Sequence, residues 1–233
     1  MTPQAVSSAS TAIAAIRLAS ARQGIDFNYL FTQAKTESGL DPNAAAPTSS
    51  ARGLFQFTAG TWLETIRKHG REHGLGAAAA VLDDGAAIDP ATRTAILDLR
   101  RDPLASADMA AAYAADNATK LSAGLDRPAT ATDLSFAHFL GAAGALRFLK
   151  ADPAGAASAI LPAAARTNPR IFFAADGSAR SVSQVYHHFA AIFGRPVPPT
   201  GTALPVARQP TVQFAAAPDA ARMIYLQLAE LSA

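Results

Sequence analysis

Alanine is the residue that most narrows what this chain can become. Half of the 233 residues are apolar, yet only 7% are aromatic, and much of the remainder is alanine. Alanine is the strongest helix former and buries little area per residue, so the composition favours many closely packed helices over a sandwich built from Val, Ile and Thr. Apolar residues recur at helical spacing in Val6, Ala9, Ile13 and Ile16, which predicts a helix over 3–23 stopped by Gly24. Asp26 is placed to cap a second helix over 27–38, which ends at Ser38-Gly39 just after Glu37. Further helices are predicted from Thr58 or Gly60 to 69, and over 90–101, 103–123, 131–140, 142–151 and 180–193. Asp102-Pro103 and Asp133 serve as start signals. Residues 39–57 read as irregular, with a small extended element in 50–57. Residues 70–90 read as a Gly/Ala-rich segment turning at Asp83-Asp84-Gly85. The expected fold class is all-α. One helical domain covers 1–194, a Pro-rich linker 195–217, and an amphipathic helix 218–233 whose Ala221, Ile224, Tyr225, Leu228 and Leu231 share a face.

Charge and cysteine content exclude several classes of function. The net charge is +2 without a Lys/Arg run, so a nucleic-acid arm or polybasic membrane patch is not expected. Cysteine is absent, which removes disulfides, thiolate metal sites and cysteine nucleophiles. His69 and His73 share a helix face, and His187-His188 adjoin, but no third ligand accompanies either pair, so no metal or other cofactor is expected. No stretch is apolar enough to span a membrane, and the N-terminus lacks the basic-then-apolar order of a secretory signal.

The chemistry concentrates in Ala34-Lys35-Thr36-Glu37-Ser38-Gly39-Leu40-Asp41-Pro42-Asn43-Ala44, then Ser50-Ala51-Arg52-Gly53-Leu54-Phe55-Gln56-Phe57-Thr58, then Thr61-Trp62. A glutamate closes a helix, an irregular loop follows, and a new helix carries the single tryptophan. A carboxyl that acts as a general acid must keep its proton near neutral pH, and apolar walls raise its pKa because desolvation disfavours the charged form. Phe31, Leu40, Leu54, Phe55 and Phe57 are the available walls. Gln56 offers both a donor and an acceptor to a sugar hydroxyl or N-acetyl group.

These segments resemble the soluble lytic transglycosylase family, the goose-lysozyme-like branch of the lysozyme fold. That family carries a Glu-Ser at a helix end, a Gly-Leu-Met-Gln segment, and an Ala-Tyr-Asn-x-Gly segment further along. Here Glu37-Ser38 and Gly53-Leu54-Phe55-Gln56 match the first two, with Phe55 in place of Met. Ala137-His138-Phe139-Leu140-Gly141 matches the third loosely, with His138 where the family has Tyr. The close match covers residues 30–66 and a weaker one extends to 150. The resemblance implies a lysozyme-like helical fold and a single catalytic carboxylate, Glu37, that cleaves the bond between N-acetylmuramic acid and N-acetylglucosamine in peptidoglycan. Glu37 would protonate the bridging oxygen and then activate the muramic 6-hydroxyl, which closes a 1,6-anhydro ring without consuming water. This departs from the two-carboxylate scheme of most glycosidases.

Other residues carry two readings each. Ser38 orients Glu37 or meets substrate, or is simply a helix-end residue. Gly53 lines the groove; Gln56 lines it or satisfies loop backbone groups; Phe55 walls it, though at least one of Phe55 and Phe57, which flank Gln56, is expected in the core. Tyr113 and Asn117, one turn apart, line the groove or pack; His138 lines it or sits satisfied in the core. Asp41 is expected to cap its own turn, Glu64 to be solvated, and Trp62 to sit in the core. Two rival functions stand beside the enzyme: a catalytically silent glycan-binding or scaffold domain, and a muramidase that uses water and a second carboxylate. The partner expected is the peptidoglycan strand, met by a monomer. Residues 195–233 suit the docking of an envelope machine such as a flagellar or secretion apparatus, and the substrate implies a periplasmic or exported location reached without a visible signal.

Overall fold

The computed structural model describes residues 3–47, 49–84 and 87–194, with side chains from Ser8 onward. The helices are α1 (Pro3–Gln23), α2 (Phe27–Ser38), α3 (Ala59–His69), α4 (Gly76–Asp83), α5 (Pro90–Asp98), α6 (Pro103–Leu125), α7 (Ala131–Leu149), α8 (Ala157–Ile160), α9 (Pro162–Thr167), α10 (Pro169–Phe172) and α11 (Val182–Phe193). Short 3-10 turns at Gly70–His73 and Leu99–Arg101 supplement them. The described residues hold no strand, only isolated bridges, so the fold is all-α as expected. No helix among the described residues is long and apolar enough to cross a membrane. The linker predicted over 195–217 and the helix predicted over 218–233, with the docking role assigned to them, lie outside the described residues.

The long α6 is the centre. Its buried face is Ala107, Ala110, Ala111 and Ala114 with Met109 and Leu121, and α1 lies against it through Ala12, Ala15, Ile16 and Ala19. Small side chains on both helices let the two axes approach closely, which is how an alanine-rich chain makes a dense core. The other side of α6 meets α7, and α2 packs against α1, α6, α7 and α11. One cluster of buried apolar residues therefore runs from Ala12 to Phe193.

Local signals start and stop these helices much as expected. Asp26 accepts from the Tyr29 N–H at 3.1 Å, and Asp102 from Ala105 at 2.7 Å. Thr130 and Asp133 form a reciprocal capping box at the start of α7. Where the sequence predicts two helices over 131–140 and 142–151, one run appears with a break inside it. Gly141 has φ 71° and ψ 159°, values outside the helical region that glycine tolerates. Two stretches for which the sequence predicts no helix are partly helical. Residues 76–83 form α4, buried through Ala79, and 157–172 hold three one-turn helices. Such short pieces lack a long hydrophobic period and are set by the surface they cover.

One group of aromatic side chains gathers between α7 and α11. Phe136 of α7 stacks on Phe148 at 4.5 Å and on Phe189 of α11 at 4.2 Å, with Tyr186 at 6.0 Å. Phe139 adds a tilted contact to Phe189 at 5.5 Å. Packing of this kind contributes beyond its buried area. It fixes α7 against α11 and so sets where the residues between Phe136 and Phe139 lie.

Candidate active site

Residues of α2 at intervals of four face α6 and α7: Tyr29, Gln33 and Glu37, all buried. The helix ends at Ser38, because Gly39 adopts φ 63° and its N–H returns to the carbonyls of Ala34 and Lys35. Glu37 is thus held on the last turn, 2% exposed. A carboxyl is rarely buried so fully unless it is paired. Its partner is His138 of α7, whose Nε2 lies 2.8 Å from Glu37 Oε1. The other ring nitrogen, Nδ1, lies 3.1 Å from Nε2 of Gln33. A chain Gln33–His138–Glu37 thus joins two helices across 101 residues of sequence.

Burial pushes the Glu37 pKa above the usual carboxylate range; the hydrogen bond and charge of His138 oppose this without overcoming it. Tyr29, below Glu37 on the same face, is also raised, first by burial and then by Tyr113 and Glu37. Tyr113 of α6, half-buried, therefore belongs to the same electrostatic neighbourhood. The carboxyl and the imidazole are in direct contact, and the two phenols are linked to them only through charge. Asn117, one turn further along α6, is 5% exposed, and no contact ties it to Glu37.

The loop after α2 differs from the extended strip expected. Gln56 has φ 46° and Gly53 φ 79°, so residues 53–57 coil into a turn closed by Gln56 N–H to the Gly53 carbonyl at 3.2 Å. Alternation of side chains is lost, and Phe55 and Phe57 both enter the core at 2% and 7% exposure. Phe55 packs in the core, the place expected for at least one of the two phenylalanines that flank Gln56. Gln56 spends its amide nitrogen on the carbonyls of Ala44 at 3.1 Å and Gly53 at 2.8 Å, and so closes the loop from within. The Ser38 hydroxyl lies 2.9 Å from the Ala34 carbonyl and 2.8 Å from that of Leu54, so it ties the end of α2 to the loop. Gly53 lies against the Arg100 backbone, where a Cβ would overlap the Arg100 carbonyl oxygen. These four residues shape the floor beside Glu37 and are engaged within the protein.

Arg100 carries no functional signal in the sequence, yet it holds this loop. Its Nη1 donates to the carbonyls of Ser50 at 2.6 Å and Phe57 at 3.1 Å, and its Nε to Leu97 at 2.7 Å. Arg100→Met would leave two loop carbonyls without that donor. The Phe57 carbonyl keeps the Arg52 N–H and Ser50 is exposed, so we expect a loss of about 1 kcal/mol, near the net worth of a hydrogen bond, read as a lower Tm in a thermal melt.

The remaining candidates take structural roles. Asp41 accepts from the Asn43 N–H at 2.9 Å. Glu64 is exposed and pairs with Arg67, and Trp62 is wholly buried with its Nε1–H on the Ile96 carbonyl at 2.8 Å. His69 pairs with Asp116 at 3.0 Å and His73 with Gln23 at 2.8 Å. A surface cavity of about 710 Å³ lies between the end of α1 and the start of α6, bordered by Arg22, His73, Asp102 and Asp108. None of the residues proposed for the glycan site borders it, and Glu37 remains the group whose burial and pKa suit proton transfer.

Comparison with known proteins adds one finding. The family model described as Transglycosylase SLT domain matches residues 14–134. The match takes in Glu37, the 53–56 turn, Tyr113 and Asn117, and stops before His138.

Proposed function

The chain belongs to the transglycosylase SLT family, whose members are lytic transglycosylases acting on peptidoglycan, and from that premise we propose that it cleaves the N-acetylmuramic acid to N-acetylglucosamine bond with Glu37 as its single general acid and base. The observation that carries this reading is a buried carboxyl with a raised pKa, held by a hydrogen bond at one oxygen. Protonated Glu37 gives its hydrogen to the bridging oxygen as the bond from the muramic C1 to that oxygen breaks. The departing glucosamine leaves with a neutral hydroxyl. The oxocarbenium-like C1 is stabilised by the N-acetyl carbonyl of the same sugar. The Glu37 carboxylate then takes the proton of the muramic 6-hydroxyl as its oxygen bonds to C1. The 1,6-anhydro ring closes, Glu37 is protonated again, and no water enters the balance. Arrival at the peptidoglycan places the site of action in the bacterial periplasm or outside the cell.

Mass spectrometry of sacculi digested by the purified protein tests the reading. Anhydro-muropeptides are the expected product. Reducing ends would replace it with a water-using muramidase, and intact sacculi would replace it with a silent glycan-binding domain. The rate should also follow Glu37 with pH. The acid works only while protonated, so kcat/KM is expected to fall as pH rises through a pKa above that of an ordinary glutamate, which is about 4.3.

A further inference from the structure

Glu37 has two oxygens, and the proton must sit on the one that can reach substrate. We propose that Gln33 is a positioning residue: by donating to Nδ1 of His138 it holds that ring as the neutral Nε2–H tautomer, which confines the transferable proton to Oε2 of Glu37. The proposal rests on the reading of Glu37 as the acid and base.

Gln33 and Glu37 stand one turn apart on α2, and His138 comes between them from α7. The amide nitrogen of Gln33 has only hydrogens to offer. With that nitrogen turned toward the ring, Nδ1, 3.1 Å away, presents a lone pair. A neutral imidazole with a lone pair at Nδ1 bears its hydrogen at Nε2, which faces Glu37 Oε1 at 2.8 Å. Oε1 then accepts in both ionisation states of Glu37, and the acid form carries its hydrogen on Oε2. An imidazolium would require the Gln33 amide to turn and present its oxygen to Nδ1–H. A cationic His138 beside Glu37 would favour the carboxylate and strip the acid of its proton. Gln33 is 6% exposed, so water does not readily replace it. The titratable groups around the carboxyl are His138 from α7, Tyr29 from α2 and Tyr113 from α6. His138 is the group whose charge, were it protonated, would lower the Glu37 pKa, and α1 and α11, which also pack on α2, add no such group.

The first measurement is ¹⁵N NMR of the histidine rings in the full chain, with His138 assigned by comparison with His138→Gln. The expected result is an unprotonated Nδ1 and a protonated Nε2 near neutral pH; a protonated Nδ1 in the wild type overturns the proposal. The second is Gln33→Glu, whose carboxylate accepts from Nδ1–H and invites the imidazolium. The alkaline limb of its kcat/KM profile should move to lower pH by about one unit, because an adjacent positive charge lowers a carboxyl pKa by one or more units, with KM nearly unchanged. Gln33→Leu, which removes the donor without adding charge, should lower kcat less and leave a mixture of ring tautomers. A wild-type pH profile in a folded Gln33→Glu also overturns the proposal. Should Gln33→Glu not fold, the wild-type spectrum and Gln33→Leu still decide it. If wild type makes no anhydro product, the function assigned to Glu37 fails while the ring spectrum still reports on Gln33. If wild type is active, Glu37→Gln is not, and Gln33→Glu is indistinguishable from wild type, the role of Gln33 alone fails.

Discussion

Glu37→Gln is expected to reduce anhydro-muropeptide release by on the order of 10²–10⁴-fold, the usual contribution of a general acid and base. The amide keeps the shape and can still accept from His138 Nε2, but it has no proton to give to a glycosidic oxygen. The same substitution should make the protein more stable at neutral pH. Burial raises the Glu37 pKa in the folded chain, so the folded state binds the proton more tightly than the unfolded one. Below the unfolded pKa of about 4.3 Glu37 is neutral in both states, and its neutral form is the one the fold accommodates. As pH rises through that value and on through the higher folded pKa, the group's contribution to stability is lost. The substituted amide never ionises and escapes this loss. Thermal melts of the two proteins should therefore coincide near pH 4 and separate toward pH 8, with the variant higher. Equal Tm values across that range would mean that Glu37 is solvated, and retained anhydro product would remove it from the mechanism.

Gly53→Ala carries the second large effect. The residue holds φ 79°, and an added Cβ would overlap the carbonyl oxygen of Arg100. The left-handed conformation alone costs a non-glycine residue roughly 1–2 kcal/mol, and overpacking a tight contact adds about 1–3. A total near 3 kcal/mol corresponds to a fall in Tm of roughly 6–12 °C for a protein of this size. Activity should fall too, even at temperatures where the variant is folded. The backbone that moves is the one bearing Leu54, whose carbonyl meets Ser38 next to Glu37. A variant with unchanged Tm and rate would show that the turn does not depend on this contact.

The sequence made the helical framework and the placement of Glu37 visible because both are written in local terms. Asp26, Asp102 and Thr130 are caps whose partners lie three residues on. Gly39 ends α2 by its own backbone conformation, and this places Glu37 on the last turn. What escaped was set by long-range packing. The turn at 53–57 looks like alternating apolar and polar residues, yet Gln56 at φ 46° and the guanidinium of Arg100 fold it inward, which sends Phe55 into the core. Gln33 had a faint local signal, standing four residues before Glu37 on the same face. Its meaning depends on His138, 105 residues away. His138 itself had two readings, and only the crossing of α2 and α7 brings its ring to the carboxyl.

The stack of Phe136 on Phe148 and Phe189 bears on how such a chain can be divided. The family match ends at residue 134, four residues short of the imidazole that holds Glu37, and the rings that steady this imidazole come from still further along, up to α11. The borders of inheritance and of operation therefore differ. A fragment cut at the edge of the recognisable module would keep Glu37 and lose the imidazole that meets it, so the working unit proposed for this sequence is longer than its family signature.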